Sequence, residues 1–329
     1  MIKLHEPNVL NTNEKIKNTI SSNLKDINEQ SRNYIKDIVT LINKEIGVNK
    51  ILSIILFGSQ RSNQENTIIS DCDLLFIFKN RVSNRHIKEI EKYFIALEIK
   101  HNFREPNTNL VHNILGVIQH STGMFVSHFL TKQKFWERGV FHKIFQVNQV
   151  FSAIFAPRNI VLGNVIENST ILYGEDLRHL LRPKIRISII EMFKSTVMNL
   201  FISFFALLIG PFKKLKSIKY QLESLKWTLR SSNYYCFGDS EFLNKITERF
   251  VSFDKEEKQF KARKYFSQFL KLRTAPFNDL GFMIRNPVRI MKIHVKAIAY
   301  KKLVKKKELT IPIKQKEPNI PPRTFPIQF

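Results

Sequence analysis

The first hundred residues alternate between helical and strand-like patterns of apolar positions. From Ile27 to Ile46, apolar residues recur at intervals of three and four, which predicts an amphipathic helix that ends near Gly47. The run from Ile51 to Phe57 is branched and apolar and stops at a glycine, which is typical of a strand buried on both faces. A second apolar strand is predicted from Ser70 to Phe78, and a helix over residues 84–100. This succession indicates an α/β fold.

Helical periodicity dominates the second half of the chain. A strand candidate, Met124 to Leu130, lies within the region 110–130 where further strands are expected, and the pattern from Phe135 to Phe155 favours no element type. Helices are then predicted over residues 185–209, 214–234, 240–272 and 284–304. The predicted organisation is a flexible N-terminus (1–26), an α/β domain (27–177), an all-α domain (178–304) and a basic, Pro-rich tail (305–329).

The candidate functional residues lie at the end of the first predicted strand and at the start of the second. Since successive strand side chains point to opposite faces, Asp71 and Asp73 share one face, and Cys72 points away from them into the core. Two adjacent carboxylates are costly unless a cation lies between them, and Mg²⁺ prefers one or two carboxylates, waters and substrate phosphates. The Gly58-Ser59 turn can direct backbone N–H groups and a hydroxyl at a phosphate.

These residues resemble the signature of the DNA polymerase β-like nucleotidyltransferase superfamily, and most closely its minimal nucleotidyltransferase branch. The matching features are Gly58-Ser59, a spacer of about a dozen residues, Ser70, and the Asp71-x-Asp73 pair. The later sequence ILYGEDL, from Ile171 to Leu177, is similar to the segment that often closes this domain. The resemblance implies a nucleotidyltransferase domain with a small mixed sheet, a nucleoside triphosphate substrate, and Asp71 and Asp73 holding Mg²⁺ in a two-metal site.

The same resemblance implies phosphate contacts and a third metal ligand. Gly58 and Ser59 would seat the β- and γ-phosphates, and Arg61 is close enough in sequence to assist, although a solvated loop arginine is an equally good interpretation. The superfamily usually supplies a third carboxylate from a neighbouring strand. The strand candidate near residue 127 instead offers Ser127 and His128, and His128 is a substitute ligand or proton acceptor in one interpretation and a structural histidine in the other.

Charge indicates the class of partner. The net charge is +25, of which +4 lies before residue 178 and +21 after it. A field of that size attracts polyanions, so we expect an RNA end as the acceptor of the nucleotide. One alternative is that the acceptor is a small molecule or a protein. The other is that the protein is a non-catalytic nucleotide- or RNA-binding module that lacks the third carboxylate. A genome-wide bias towards lysine would explain a high lysine content throughout the chain, but not the difference in net charge between its two halves.

The remaining sequence features concern compartment and membrane contact. The apolar run Val197–Ile209 is shorter than a membrane span and is interrupted by Asn199 and Ser203, so a buried bundle helix is the preferred interpretation and a membrane-surface helix the alternative. Two cysteines are too few for a disulfide framework or a zinc site. The N-terminus shows no apolar signal-peptide region, so a cytoplasmic protein is expected.

Overall fold

The computed structural model describes residues 23–24, 27–58, 72–103, 126–210 and 214–310. Short 3-10 turns occupy Val48–Lys50, Arg178–Leu180 and Arg182–Lys184. The longer elements, in chain order, are α1 (Glu29–Glu45), β1 (Ile51–Phe57), β2 (Asp73–Phe78), α2 (Asn84–Lys100), β3 (His128–Lys132), α3 (Gln133–Arg138), α4 (Phe141–Ile144), α5 (Gln149–Ile154), α6 (Arg158–Glu167), β4 (Ser169–Gly174), α7 (Ile189–Ile209), α8 (Lys214–Phe237), α9 (Leu243–Ser252), α10 (Glu256–Thr274) and α11 (Leu280–Thr310).

The strands form a small mixed sheet with the order β3-β2-β1-β4. Strand β1 is antiparallel to both of its neighbours, and β2 pairs with β3 in parallel. At the end of β1, Phe57 lies between Asp73 on β2 and Ser169 on β4. The mixed sheet followed by a helical region confirms the fold class expected from the sequence.

Each face of the sheet is covered by its own set of helices, because strand side chains alternate between faces. Leu56, Leu74 and Phe76 face α1 and α2, and Cys72 is buried on this side as predicted. Leu75 and Phe129 face α3, α4 and α6 on the other side. Helix α1 begins at the N-cap Asn28, whose side chain accepts a hydrogen bond from the Ser31 amide at 2.8 Å. Both faces are therefore buried, which explains the continuous apolar runs of the strands.

Helix α8 lies at the centre of the helical region and packs against α7 and α11. Polar pairs lie between these three helices: Ser203 donates to Gln221 at 2.6 Å, Asn286 donates to the same Gln221 side chain at 2.6 Å, and Asn199 lies 3.2 Å from His294. The apolar core of this region joins Leu222, Leu225 and Leu229 of α8 to buried residues of α9, α10 and α11. Burial lowers the pKa of His294 to about 3, so this imidazole is neutral at physiological pH.

The two regions of the chain are in direct contact through α6. The backbone amide of Asn159 donates to the Glu191 carboxylate at 3.0 Å, and burial raises the pKa of Glu191 above its ordinary value. Gly163 packs so closely on α8 that an added Cβ would lie 2.1 Å from the Tyr234 hydroxyl oxygen. This close contact joins the α/β region to the helical region. It leaves no room for a side chain larger than that of glycine at position 163.

Several predicted boundaries were wrong. Leu24, placed in the flexible N-terminus, is fully buried, and the Asn23 amide donates to the Leu172 carbonyl at 3.1 Å. The helix predicted over 240–272 is two helices, because the chain turns where Asp254 N–H donates to Val251 O at 2.9 Å. Helix α11 reaches Thr310 instead of ending at residue 304, and it accommodates Pro287 in its interior.

Candidate functional site

Gly58 and Asp73 meet at the end of β1. Gly58 has φ +81°, a backbone conformation that side-chain-bearing residues rarely adopt, and an added Cβ would lie 2.2 Å from Oδ2 of Asp73. The Asn168 side chain approaches the carbonyl of Gly58 at 3.5 Å from the β4 side. A glycine is therefore required here for two reasons, the left-handed backbone and the approach of the carboxylate. The structure thus brings together two of the site residues that the sequence indicated.

Four further residues of the sequence motif, Ser59, Arg61, Ser70 and Asp71, lie outside the described residues. Their roles as phosphate contacts and as the second metal ligand remain predictions. Asp73 is half-buried at the start of β2, and its backbone pairs with Phe57. The described part of the site therefore consists of one carboxylate fixed by a strand and one glycine turn beside it.

Asp73 opens onto a cleft that is partly open to solvent. One wall comes from the sheet and from α6, and the opposite wall comes from α7 and α8. The lining residues are mostly aromatic and aliphatic, with a few neutral polar groups: Phe57, Asp73, Val126, Phe129, Phe145, Pro157, Ile160, Val161, Asn164, Val165, Ser195, Met198, Asn199, Trp227 and Ser231. Among the described lining residues, Asp73 is the single charged side chain. A mostly apolar lining with a few polar groups is typical of a small-molecule site.

Asn164 on α6 is an unusual member of this lining. Its amide donates to the Ile160 carbonyl at 2.9 Å, whereas its Oδ1 is buried and accepts no hydrogen bond from any described residue. An unsatisfied buried carbonyl oxygen is costly, and native proteins retain such groups mainly where a ligand or water satisfies them. Oδ1 of Asn164 is therefore a candidate acceptor for a hydroxyl or amino group of a bound molecule.

His128 lies on the other face of the sheet. It pairs with Leu74 in the parallel register of β2 and β3, and its Nδ1 lies 2.7 Å from Oε1 of Glu98, with both side chains buried. The structure thus does not bring His128 together with Asp73. Side-chain alternation places Ser127, whose carbonyl accepts from Leu74 N–H at 2.8 Å, on the Asp73 face instead. Glu98, which the sequence placed only on a helix, is the partner of His128.

In the part of the chain that the structure describes, no cluster of three His, Cys, Asp or Glu side chains could hold a metal, and the third carboxylate remains a prediction. Sequence reasoning also missed the cleft wall formed by α7 and α8. The interruption of the apolar run by Asn199 was the available signal, since a polar residue in such a run often faces a cavity or a buried partner.

No model of a protein family matches this chain, and no curated protein matches its sequence. Among solved structures, the chain is similar to the crystal structure of a spectinomycin adenyltransferase from Enterococcus faecialis with ATP and spectinomycin, at a TM-score of 0.45 and 8% sequence identity. The match covers 81% of this chain and 98% of that chain. It is a distant likeness of fold and identifies no substrate for this protein.

Proposed function

We propose that this protein is a Mg²⁺-dependent nucleotidyltransferase that transfers a nucleoside monophosphate from a nucleoside triphosphate to a hydroxyl group of an acceptor bound in the cleft. The observation that carries the proposal is the Gly58–Asp73 corner, where a carboxylate and a glycine turn lie together at the wall of a cleft. The N–H groups of such a turn bind phosphate oxygens, and the carboxylate supplies the negative charge that a phosphate-bound cation requires.

Asp73 fits a Mg²⁺ ligand because it is an oxygen donor on a rigid strand that opens onto the cleft. With Asp71 as the second ligand, the pair meets the usual demand of this ion for one or two protein carboxylates. When bound there, the ion would polarise the transferred phosphoryl group and neutralise charge on the leaving pyrophosphate. Gly58, Ser59 and Arg61 would hold the two outer phosphates.

The cleft favours a small hydroxylated acceptor. Its described lining contains no Lys or Arg, so it offers no counter-charge for a nucleic-acid backbone. Aromatic groups such as Phe57 and Trp227 suit the face of a base or a sugar, and Asn164 Oδ1 can accept a hydrogen bond from a hydroxyl. Asp73 lies where the cleft meets the Gly58 turn. The acceptor hydroxyl and the transferred phosphate would therefore meet beside Asp73 in one orientation.

An RNA end is the second candidate acceptor, and the charge distribution favours it. The half of the chain after residue 177 carries +21, which would attract RNA over a wide surface. In this case only the terminal nucleotide would enter the cleft, and the phosphate contacts would lie outside it. The two acceptors differ in the fraction of a cell extract that becomes labelled.

The test uses the purified protein with each α-labelled nucleoside triphosphate, Mg²⁺ and a cell extract separated into small-molecule, RNA and protein fractions. We expect wild-type protein to label one fraction, and Asp73→Asn to lose at least about a hundredfold of this activity because a metal ligand is removed. The matched control Glu257→Gln, which removes one negative charge from an exposed position on α10, should label as wild type does.

Labelling of the small-molecule fraction would support the cleft as the acceptor site, and labelling of RNA would assign the acceptor to the second candidate. If wild type and Asp73→Asn label equally, the proposed site is wrong. If nothing is labelled while Mg²⁺-dependent nucleotide binding persists, the protein is a non-catalytic binding module.

A further inference from the structure

The buried side of helix α7 mixes polar and small apolar residues, whereas its exposed side is apolar. The side that packs in the bundle carries small polar groups, with Ser195 donating to Ser231 at 3.0 Å and Ser203 to Gln221 at 2.6 Å. The outer side carries Phe193, Phe201, Phe204 and Leu208, which are between 54% and 73% exposed. This arrangement is the reverse of a helix on a water-facing surface, and it is typical of helices whose outer side faces an apolar environment.

Helix α11 carries a second apolar stripe with the same spacing. Leu280, Ile284, Val288, Met291 and Val295 follow one another at intervals of four, four, three and four residues, and all are exposed. The polar and apolar residues that pack in the bundle, Asn286, Ile290 and His294, lie on another side of the helix. Two helices of the bundle thus each expose a continuous apolar stripe.

The two stripes lie side by side. Asn199 of α7 lies 3.2 Å from His294 of α11, and a Cβ added at Gly210 would lie 3.5 Å from the Met283 methyl group, so the helices are antiparallel neighbours with matched positions eleven residues apart. On each helix the contacts with α8 are made by residues outside the stripe: Ser195 and Ser203 of α7 bond to Ser231 and Gln221, and His294 of α11 lies 3.0 Å from Tyr235. We call this surface, formed by the exposed apolar residues of α7 and α11 named above, the α7–α11 face. A contiguous exposed apolar area of this kind marks an interaction site.

The border of the α7–α11 face is basic. Lys292 lies beside Val288 and Val295 on the helix, Lys302 lies two turns beyond Val295, and both are exposed. Residues 280–304 contain no Asp or Glu, and the single acidic residue of α7, Glu191, is buried against Asn159. Apolar residues bordered by cations match the acyl and phosphate layers of an anionic bilayer.

From these observations we propose that the α7–α11 face docks on the surface of an anionic lipid membrane. One described helix, α7, is long and apolar enough to cross a membrane, but half of its most apolar segment is buried in the protein, so contact is with one leaflet only. A second copy of the chain is a poorer occupant, since each copy carries +25 and the basic borders would face each other. The proposal does not depend on nucleotidyl transfer.

The test is flotation of the full-length protein with vesicles of phosphatidylcholine alone or of an equimolar mixture of phosphatidylcholine and phosphatidylserine. We expect binding to the mixed vesicles and little binding to the neutral ones. Phe204→Ser should weaken binding about tenfold because one aromatic side chain no longer inserts. The matched control Phe260→Ser, at an exposed phenylalanine on α10, should bind as wild type does.

A second pair of variants tests the charged border. Lys292→Gln/Lys302→Gln should weaken binding about tenfold, whereas Lys88→Gln/Lys92→Gln, which removes two exposed charges from α2, should change it little. Since Phe204 is exposed, its variant should melt at the wild-type temperature. The proposal would be overturned if the protein did not bind the mixed vesicles, or if the test variant and its control weakened binding equally in either pair. It would also be overturned if light scattering showed a dimer that Phe204→Ser dissociates.

Discussion

The contact between Gly58 and Asp73 gives the most specific prediction at the scale of single residues. Gly58→Ala introduces a Cβ 2.2 Å from the Asp73 carboxylate, so the carboxylate must move away from the turn. We expect nucleotidyl transfer to fall about a hundredfold, because a shift of about 1 Å in a catalytic group has an effect of this size. Transfer is measured with the labelled nucleotide that wild type uses.

Gly238→Ala is the matched control for the backbone. Gly238 has φ +72°, close to that of Gly58, but an added Cβ would meet nothing within 4 Å. Both variants should lose about 1 kcal/mol of unfolding free energy from the left-handed backbone. Only Gly58→Ala should lose transfer activity, and equal activity of the two variants would contradict the close contact at the site.

Among residues, those defined by local pattern could be predicted from the sequence. The turn at Gly58 and the burial of Cys72 follow from a strand that ends at a glycine and from side-chain alternation. The surroundings of His128 could not be predicted, because the face on which it lies depends on the position of β3 beside β2. Pairing of Glu98 with His128 joins residues thirty positions apart, which no local pattern reports.

At the scale of elements, a buried ion pair fixes α10 against α8. Glu223 on α8 accepts from Arg273 on α10 at 3.2 Å and also pairs with Lys226. Burial opposes ionisation of Glu223, but the charges and hydrogen bonds of Lys226 and Arg273 outweigh it and hold the pKa of this carboxyl below its ordinary value. Its contribution to stability is therefore full at neutral pH and decreases as pH falls from the ordinary glutamate pKa of about 4.3.

Glu223→Gln should lower the unfolding free energy at pH 7 by about 3 kcal/mol, because Arg273 stays buried without a counter-charge. The difference from wild type should shrink as the pH falls through the range in which Glu223 becomes protonated. Urea unfolding at several pH values measures both effects. Glu248→Gln, which removes an exposed partner of Arg263, is the control and should cost less than about 1 kcal/mol. A pH-independent difference would contradict the depressed pKa.

Element boundaries were predictable where an apolar pattern coincides with a cap. Helix α2 occupies residues 84–100 as predicted, and its N-cap Ser83 accepts from the His86 amide at 3.1 Å. The break between α9 and α10 was missed because no Gly or Pro separates the two helices, and the acidic residues Glu256 and Glu257 that begin α10 are as compatible with a helix interior as with its first turn.

At the scale of the whole molecule, the cleft exists because the α/β region and the helical region are held together, and Gly163 is at the centre of that contact. A Cβ at this position would lie 2.1 Å from both the hydroxyl oxygen and the Cζ ring carbon of Tyr234. Gly163→Ala should therefore separate α6 from α8 and lower the unfolding free energy by about 2 kcal/mol, as overpacking usually does. Thermal unfolding measures this change.

Two further variants separate overpacking from loss of a helical glycine. Gly281→Ala on α11, where an added Cβ meets nothing closer than 3.5 Å, should leave stability unchanged or raise it by up to about 1 kcal/mol. In the Tyr234→Leu background, Gly163→Ala should cost much less than in wild type, because the ring that it meets has been removed. If Gly163→Ala lowers the unfolding free energy equally in both backgrounds, the added methyl group does not contact Tyr234.

Since α6 and α8 form facing walls of the cleft, Gly163→Ala should also weaken binding of the acceptor more than binding of the nucleotide, which depends on the Gly58–Asp73 corner.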